Sequence, residues 1–151
     1  MQLKSFIKQN TWSERSIVDV GWGNGYVILP REHPLYKKDY DEIHRLYPEL
    51  EVHRELTFSD FVDEIWLANV EYDFDIESSW VVGFDTCHLE DTFEKWSKEK
   101  VEEETEKLRI QLENYVSKPV LETVKMRIQK SDFEKVNEIL KEHKIAFIEE
   151  K

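Results

Sequence analysis

Trp80-Val81-Val82-Gly83-Phe84-Asp85-Thr86-Cys87-His88-Leu89-Glu90-Asp91 decides the fold. Its first five residues form an unbroken apolar run, the pattern of a strand buried on both faces. The next seven turn polar at once. Asp85, His88 and Asp91 follow at intervals of three, so a turn or a first helical turn gathers their side chains on one side. A carboxylate beside an imidazole can be an acid/base pair, part of a metal ligand set or a polar anchor for a ligand. Loops that leave strand ends are where such sites tend to sit. Asp91 has a further role open to it, as the cap and N-terminal charge of the helix that follows.

Downstream, residues 91–116 read as one long charged helix with an apolar stripe of Phe93, Trp96, Leu108, Leu112, Tyr115 and Val116. Its Glu and Lys residues read as a solvated face with i,i+4 pairs. Ser117-Lys118-Pro119 ends it. Upstream, Ser16-Ile17-Val18-Asp19-Val20 and Tyr26-Val27-Ile28-Leu29-Pro30 are β-prone runs flanking Gly21-Trp22-Gly23-Asn24-Gly25. Asn-Gly is a strong turn signal, so a hairpin is expected there. His33-Pro34 forces an extended segment. Residues 39–47 then suit a short helix stopped by Pro48, and residues 51–58 another strand. The 59–72 stretch fits a helix or a strand equally.

The tail is a separate unit. Val124, Met126 and Ile128 alternate with Lys125, Arg127 and Gln129 in strand periodicity. Ser131-Asp132-Phe133-Glu134 is a capping box opening a helix to about His143, with Phe133, Val136, Ile139 and Leu140 inward. Ile145-Ala146-Phe147-Ile148 returns as a strand. A βαβ piece of roughly thirty residues cannot bury its own sheet, which suggests packing on the main body or on another subunit. The expected class is therefore α+β: a small, mainly antiparallel sheet with one long helix in residues 1–117, plus a βαβ extension in 118–151.

Composition narrows the partners. At 151 residues, 40% hydrophobic and 13% aromatic, the chain can build a real core. A formal charge of −12 argues against binding long nucleic acid, while leaving room for a small phosphorylated ligand in a local pocket. The lone Cys87 precludes an internal disulfide and fits a reducing cytoplasm, where it reads as a small buried thiol. Residues 5–15 are too polar for a signal peptide, and no run reaches membrane-spanning length.

No His-Glu-x-x-His, Cys-x-x-Cys, calcium-loop or P-loop pattern occurs. Asp85, His88 and Asp91 would serve a divalent metal only if His33 or His53 joined them, and neither a metal nor another cofactor is expected. His44, mid-helix, reads as a surface residue.

Tyr26-Val27-Ile28-Leu29-Pro30, His33-Pro34-Leu35-Tyr36, Val52-His53 with Leu56-Thr57-Phe58, and Gly83-Phe84-Asp85 with His88 and Asp91 occur in that order. Over about residues 25–112 the chain resembles a family of small, mostly uncharacterised proteins of tailed bacteriophages and prophages. The family pattern has glycine before the His-Pro-Leu-Tyr motif, Gly-Gly after the Val-His pair and glycine before the final Asp. This chain has Glu32, Arg54-Glu55 and Glu90 there, and Thr86 replaces a family cysteine. The resemblance implies an accessory protein of the host bacterial cytoplasm that counters bacterial defence by binding, and either cutting or holding, a small nucleotide signal. On that reading His53, His88 and Asp85 are the catalytic candidates. His33, Tyr36, Arg54, Thr57, Phe58 and Trp22 are the ligand-binding ones, with Arg54 for phosphate and the aromatic rings for stacking a base. The other readings are a sequestering protein, assembled as a homo-oligomer, and an adaptor that engages a host protein through its acidic helix.

Overall fold

β-Branched and aromatic residues alternate between two apolar surfaces, and that alternation builds the sheet. The computed structural model describes residues 1–11, 18–118 and 129–143. The chain divides into two compact units, Met1–Ser117 and Lys118–Lys151. In the first, strands β1 (Lys4–Gln9), β2 (Gly23–Leu29), β3 (Phe58–Asp60) and β4 (Trp80–Phe84) form one antiparallel sheet in the order β1-β2-β4-β3. Helix α1 spans Tyr40–Leu46 and helix α2 spans Lys98–Glu113. The architecture is α+β.

In register, Val27 faces Val82 and Ile28 faces Val81 across β2 and β4. Val27, Leu29, Val82 and Phe84 pack with Val101, Leu108 and Leu112 of α2. Tyr26, Ile28 and Val81 pack on the other face with Val62 and Leu67. The 59–72 stretch holds β3 at its start and then turns, and it helps to cover that second face. Both faces of the central strands are thus closed, which is why they read as continuous apolar runs rather than clean alternation. Val101, Thr105, Leu108 and Leu112 are the buried stripe of α2. Burial of each Val or Leu is worth about 1.5–3 kcal/mol.

The hairpin expected around Asn24-Gly25 is replaced by a different one. β2 pairs with β1 on one side and β4 on the other, and Asn24 and Gly25 lie inside β2. Gly25 is there for close approach, since a Cβ would sit 2.0 Å from Thr105 Oγ1. Asn24 uses its side chain as an acceptor for the Thr86 N–H at 3.2 Å. Of the strand expected at residues 16–20, Val18, Asp19 and Val20 are not in a strand, and 16 and 17 lie outside the described residues.

Two further boundaries move. Residues 51–57 are irregular, because Arg54 adopts a left-handed backbone (φ 61°) that no strand accommodates. Helix α2 begins at Lys98, not at Asp91: Ser97 is its N-cap and accepts from the Lys100 N–H at 3.3 Å. Asp91 is thereby released from capping.

In the second unit, a 3-10 turn at Lys130–Asp132 leads into helix α3, Phe133–Glu142. No side-chain hydrogen bond caps α3, so the expected capping box does not form. The strands expected at 124–128 and 145–148 lie outside the described residues.

Candidate functional site

The loop leaving β4 is fixed before its polar side chains are placed. Thr86 Oγ1 donates to the Gly23 carbonyl at 2.7 Å, and the Gly21 N–H donates to the Thr86 carbonyl at 2.8 Å. The Thr57 N–H donates to the Gly83 carbonyl at 2.9 Å, extending the β3–β4 edge and drawing the 53–57 segment beside the loop. These main-chain ties bring His53 to His88 and Asp91, 38 residues on in the case of Asp91.

Asp91 is the centre of the site and is only 3% exposed. His53 Nε2 lies 2.9 and 3.0 Å from its two carboxylate oxygens. His88 Nδ1 lies 3.1 Å from Oδ2, and the His88 main-chain N–H donates to that same oxygen at 3.0 Å. Burial alone would raise the Asp91 pKa, but the hydrogen bonds from His53 and His88 outweigh it and hold the carboxyl below its ordinary value. The group is therefore an anion inside the fold, with charge-assisted bonds around it.

Asp85 stands at the edge, its Oδ1 3.6 Å from His88 Nδ1. The Cys87 N–H donates to Asp85 Oδ1 at 2.9 Å, fixing the carboxylate in an Asx turn. The Trp96 ring packs on His53 at 4.0 Å between centroids, with the planes tilted by 44°. His53 also lines a cleft of about 570 Å3 between the 50–53 segment and α2, with Leu50, Val52, Lys107, Ile110 and Gln111 among its walls. That volume is within the range of small-molecule sites.

The rim carries cations and apolar groups. Arg54 Nη2 donates to the Leu89 carbonyl at 3.3 Å and Lys95 Nζ to the Glu90 carbonyl at 3.5 Å. Leu89 and Phe93, two residues either side of Asp91, are 89% and 51% exposed. Arg54 and Glu90, adjacent in sequence to His53 and Asp91, both have left-handed backbone (φ 61° and 77°). Such strain in non-glycine residues gathers at sites.

The structure brings together only part of the expected set. His53, His88, Asp85 and Arg54 meet. His33 does not join them: it is buried, with Nδ1 accepting from the Leu35 N–H at 3.1 Å and Nε2 2.8 Å from the Leu112 carbonyl. Both ring nitrogens are committed to main chain, so His33 is a structural strut. Phe58 belongs to the aromatic cluster on the second sheet face, stacked on Trp66 at 5.1 Å. Tyr36 packs edge-on to Phe61 at 6.1 Å. Trp22 packs against the first core with Lys98 Nζ 5.8 Å from its ring. The Phe58 and Tyr36 rings are thus engaged by other aromatic rings. Thr57 serves through its main chain.

Cys87 is exposed as a residue rather than buried, yet its thiol is partly desolvated, and that desolvation together with the Asp85 carboxylate pushes its pKa up, against nucleophilic use. His44 accepts from the Leu56 N–H at 2.9 Å and so is more than a surface residue. Trp96 and the central role of Asp91 escaped the sequence reading, although the three-residue spacing to His88 was the signal for Asp91. No protein-family model, curated protein or solved structure matches the chain.

Proposed function

We propose that the main unit binds a small phosphorylated ligand of nucleotide size at His53, His88, Asp91 and Asp85, and hydrolyses a phosphoester bond in it. The observation that carries this reading is the convergence of two imidazoles on one buried carboxylate, one of them, His53, also lining a cleft. Acid–base groups need that kind of positioning, with partners that fix the rings and a face open to substrate. Arg54 and Lys95 supply positive charge beside the site in a chain of net charge −12, and so favour an anion there locally. Leu89 and Phe93 offer apolar surface to the rest of the ligand.

In the reaction, a water oxygen attacks phosphorus and loses its proton to the site. The phosphorus–oxygen ester bond then breaks, and the leaving oxygen is protonated as an alcohol. Asp91 stays ionised and orients His53 and His88, while Arg54 faces the developing phosphate charge.

The phage and prophage pattern that the chain resembles bears on Arg54 and Glu90. Both stand where the family pattern has glycine, and both have the left-handed backbone that favours glycine. On that resemblance the ligand is a nucleotide signal of bacterial defence. The test is incubation with a panel of cyclic mono- and oligonucleotides, followed by denaturation and mass spectrometry. Conversion of at least one to a linear product, lost in His53→Ala and His88→Ala, is the expected result. A compound that co-purifies yet returns intact makes the protein a holder rather than a cutter. A panel neither bound nor converted removes the proposal.

A further inference from the structure

The donor atoms at the centre of the site face one another. His53 Nε2, His88 Nδ1 and an Asp91 carboxylate oxygen all lie within 4.8 Å of one another. The closest separations are 2.9 Å from His53 and 3.1 Å from His88. Around a tetrahedral ion bound at about 2.0–2.2 Å, neighbouring ligand atoms lie roughly 3.3–3.6 Å apart. The two imidazole–carboxylate separations are thus some tenths of an ångström short of that spacing, and an ion entering between the three groups would take the place of their hydrogen bonds.

We propose that His53 Nε2, His88 Nδ1 and the Asp91 carboxylate bind a first-row divalent metal ion, with Asp85 as the fourth ligand. Asp85 Oδ1 is 3.6 Å from His88 Nδ1 and lies outside the mutually close trio, so its side chain must turn toward the ion to complete the set. Two imidazoles with two carboxylates form a borderline nitrogen/oxygen set, which selects Zn2+, Co2+, Fe2+ or Mn2+ over the all-oxygen ions Ca2+ and Mg2+. Two carboxylates balance the charge of a divalent ion and leave the imidazoles neutral.

The supports that orient the ligands do not depend on the ion. The His88 N–H holds Asp91 Oδ2, the Cys87 N–H holds Asp85 Oδ1, and Trp96 packs on the His53 ring. Outer partners of this kind fix ligand orientation and commonly set metal affinity. Four protein ligands leave room for a water or a phosphate oxygen if the ion is five- or six-coordinate. The absence of metal expected from the sequence is revised here, because His53 joins the set only through the fold.

This inference deepens the hydrolase reading, makes His53 and His88 ligands in place of proton carriers, and rests on that reading only for the ion's task, lowering the pKa of bound water. The binding test is independent of substrate. The full chain, dialysed against EDTA and then into chelator-free buffer, is titrated with Co2+ and followed by visible ligand-field absorption. Saturation at one ion per chain is expected, weakened at least about tenfold in His88→Ala and in Asp91→Asn. Because Asp91 is buried, His88→Ala, partly exposed in the wild type, carries the test if Asp91→Asn does not fold by circular dichroism. No ligand-field spectrum, or one unchanged in His88→Ala, overturns the metal site. Phosphoester turnover that persists in EDTA overturns the ion's part in the reaction and leaves the hydrolase standing. Co2+ bound by these residues with every nucleotide untouched supports the metal and removes the hydrolase.

Discussion

The turn at His33 and the loops at His53 and His88 use the same side chain in different ways. At His33 both ring nitrogens meet main-chain groups, and burial pushes the pKa down although the contact with the Leu112 carbonyl opposes this. At His53 and His88 the rings meet a carboxylate, and their side chains keep 15% and 28% of their exposure. An imidazole bound to backbone on both sides cannot change partners without opening the fold. Imidazoles gathered on a side-chain carboxylate near the surface can exchange a proton or take a metal. The difference separates a strut from a site.

The largest effect should come from removing one member of the gathered set. His88→Ala is expected to lower ligand turnover at least ~100-fold while costing under about 1 kcal/mol of stability. Turnover by mass spectrometry and urea unfolding of the same sample check both halves. A variant that is active, or one that is unfolded, breaks the contrast.

The reverse pattern is expected at His33. His33→Ala leaves the Leu112 carbonyl and the Leu35 N–H without their partner and opens a cavity, for a loss of about 2–4 kcal/mol. Where the protein is still folded, Co2+ affinity should stay within about twofold of wild type, as expected for sites that share no partner. A large loss of Co2+ affinity would tie His33 to the site.

The next effect is a dependence on pH. The folded-state pKa of His33 lies below its ordinary 6.5, so between the two values the unfolded chain binds more protons. Stability from this residue is complete above pH 6.5 and falls as the pH drops toward the folded-state value. The urea midpoint of wild type should therefore decline on acidification more steeply than that of His33→Gln, which cannot gain the charge. Parallel pH profiles would show that His33 is not the group responsible.

These contrasts also explain what could be read from the sequence. Val81, Val82 and Phe84 announced β4 because burial on both faces leaves an unbroken apolar run. The Asp85–His88 pair was legible because it is local, three residues apart. His53 was recognisable as a candidate but its convergence on Asp91 was not, since that depends on the Thr57–Gly83 hydrogen bond at the sheet edge. Asn24-Gly25 misled because glycine permits close packing as well as turns, and here Thr105 fills the space. The capping role open to Asp91 falls instead to Ser97, six residues later and an equally good cap. His33, Tyr36 and Phe58 carry residue types suited to ligands but are occupied by backbone or by other rings.

The smallest effect expected concerns the backbone of the site rather than its side chains. Glu90 has φ 77°, and left-handed backbone costs a residue with a Cβ roughly 1–2 kcal/mol. Glycine removes that strain but gains freedom in the unfolded chain, which offsets part of it. Glu90→Gly should thus raise stability by about 0.5–1 kcal/mol in urea unfolding and leave Co2+ affinity unchanged. Glu90→Ala keeps a Cβ at the same φ and should give no gain. The pair of variants separates backbone from side chain, because the Lys95 contact is to the Glu90 carbonyl and survives both changes. If glycine destabilises, the Glu90 side chain contributes more than its conformation costs. If it stabilises, the left-handed turn is part of how the loop delivers Asp91 to the two histidines, and this chain retains it without the glycine that suits it best.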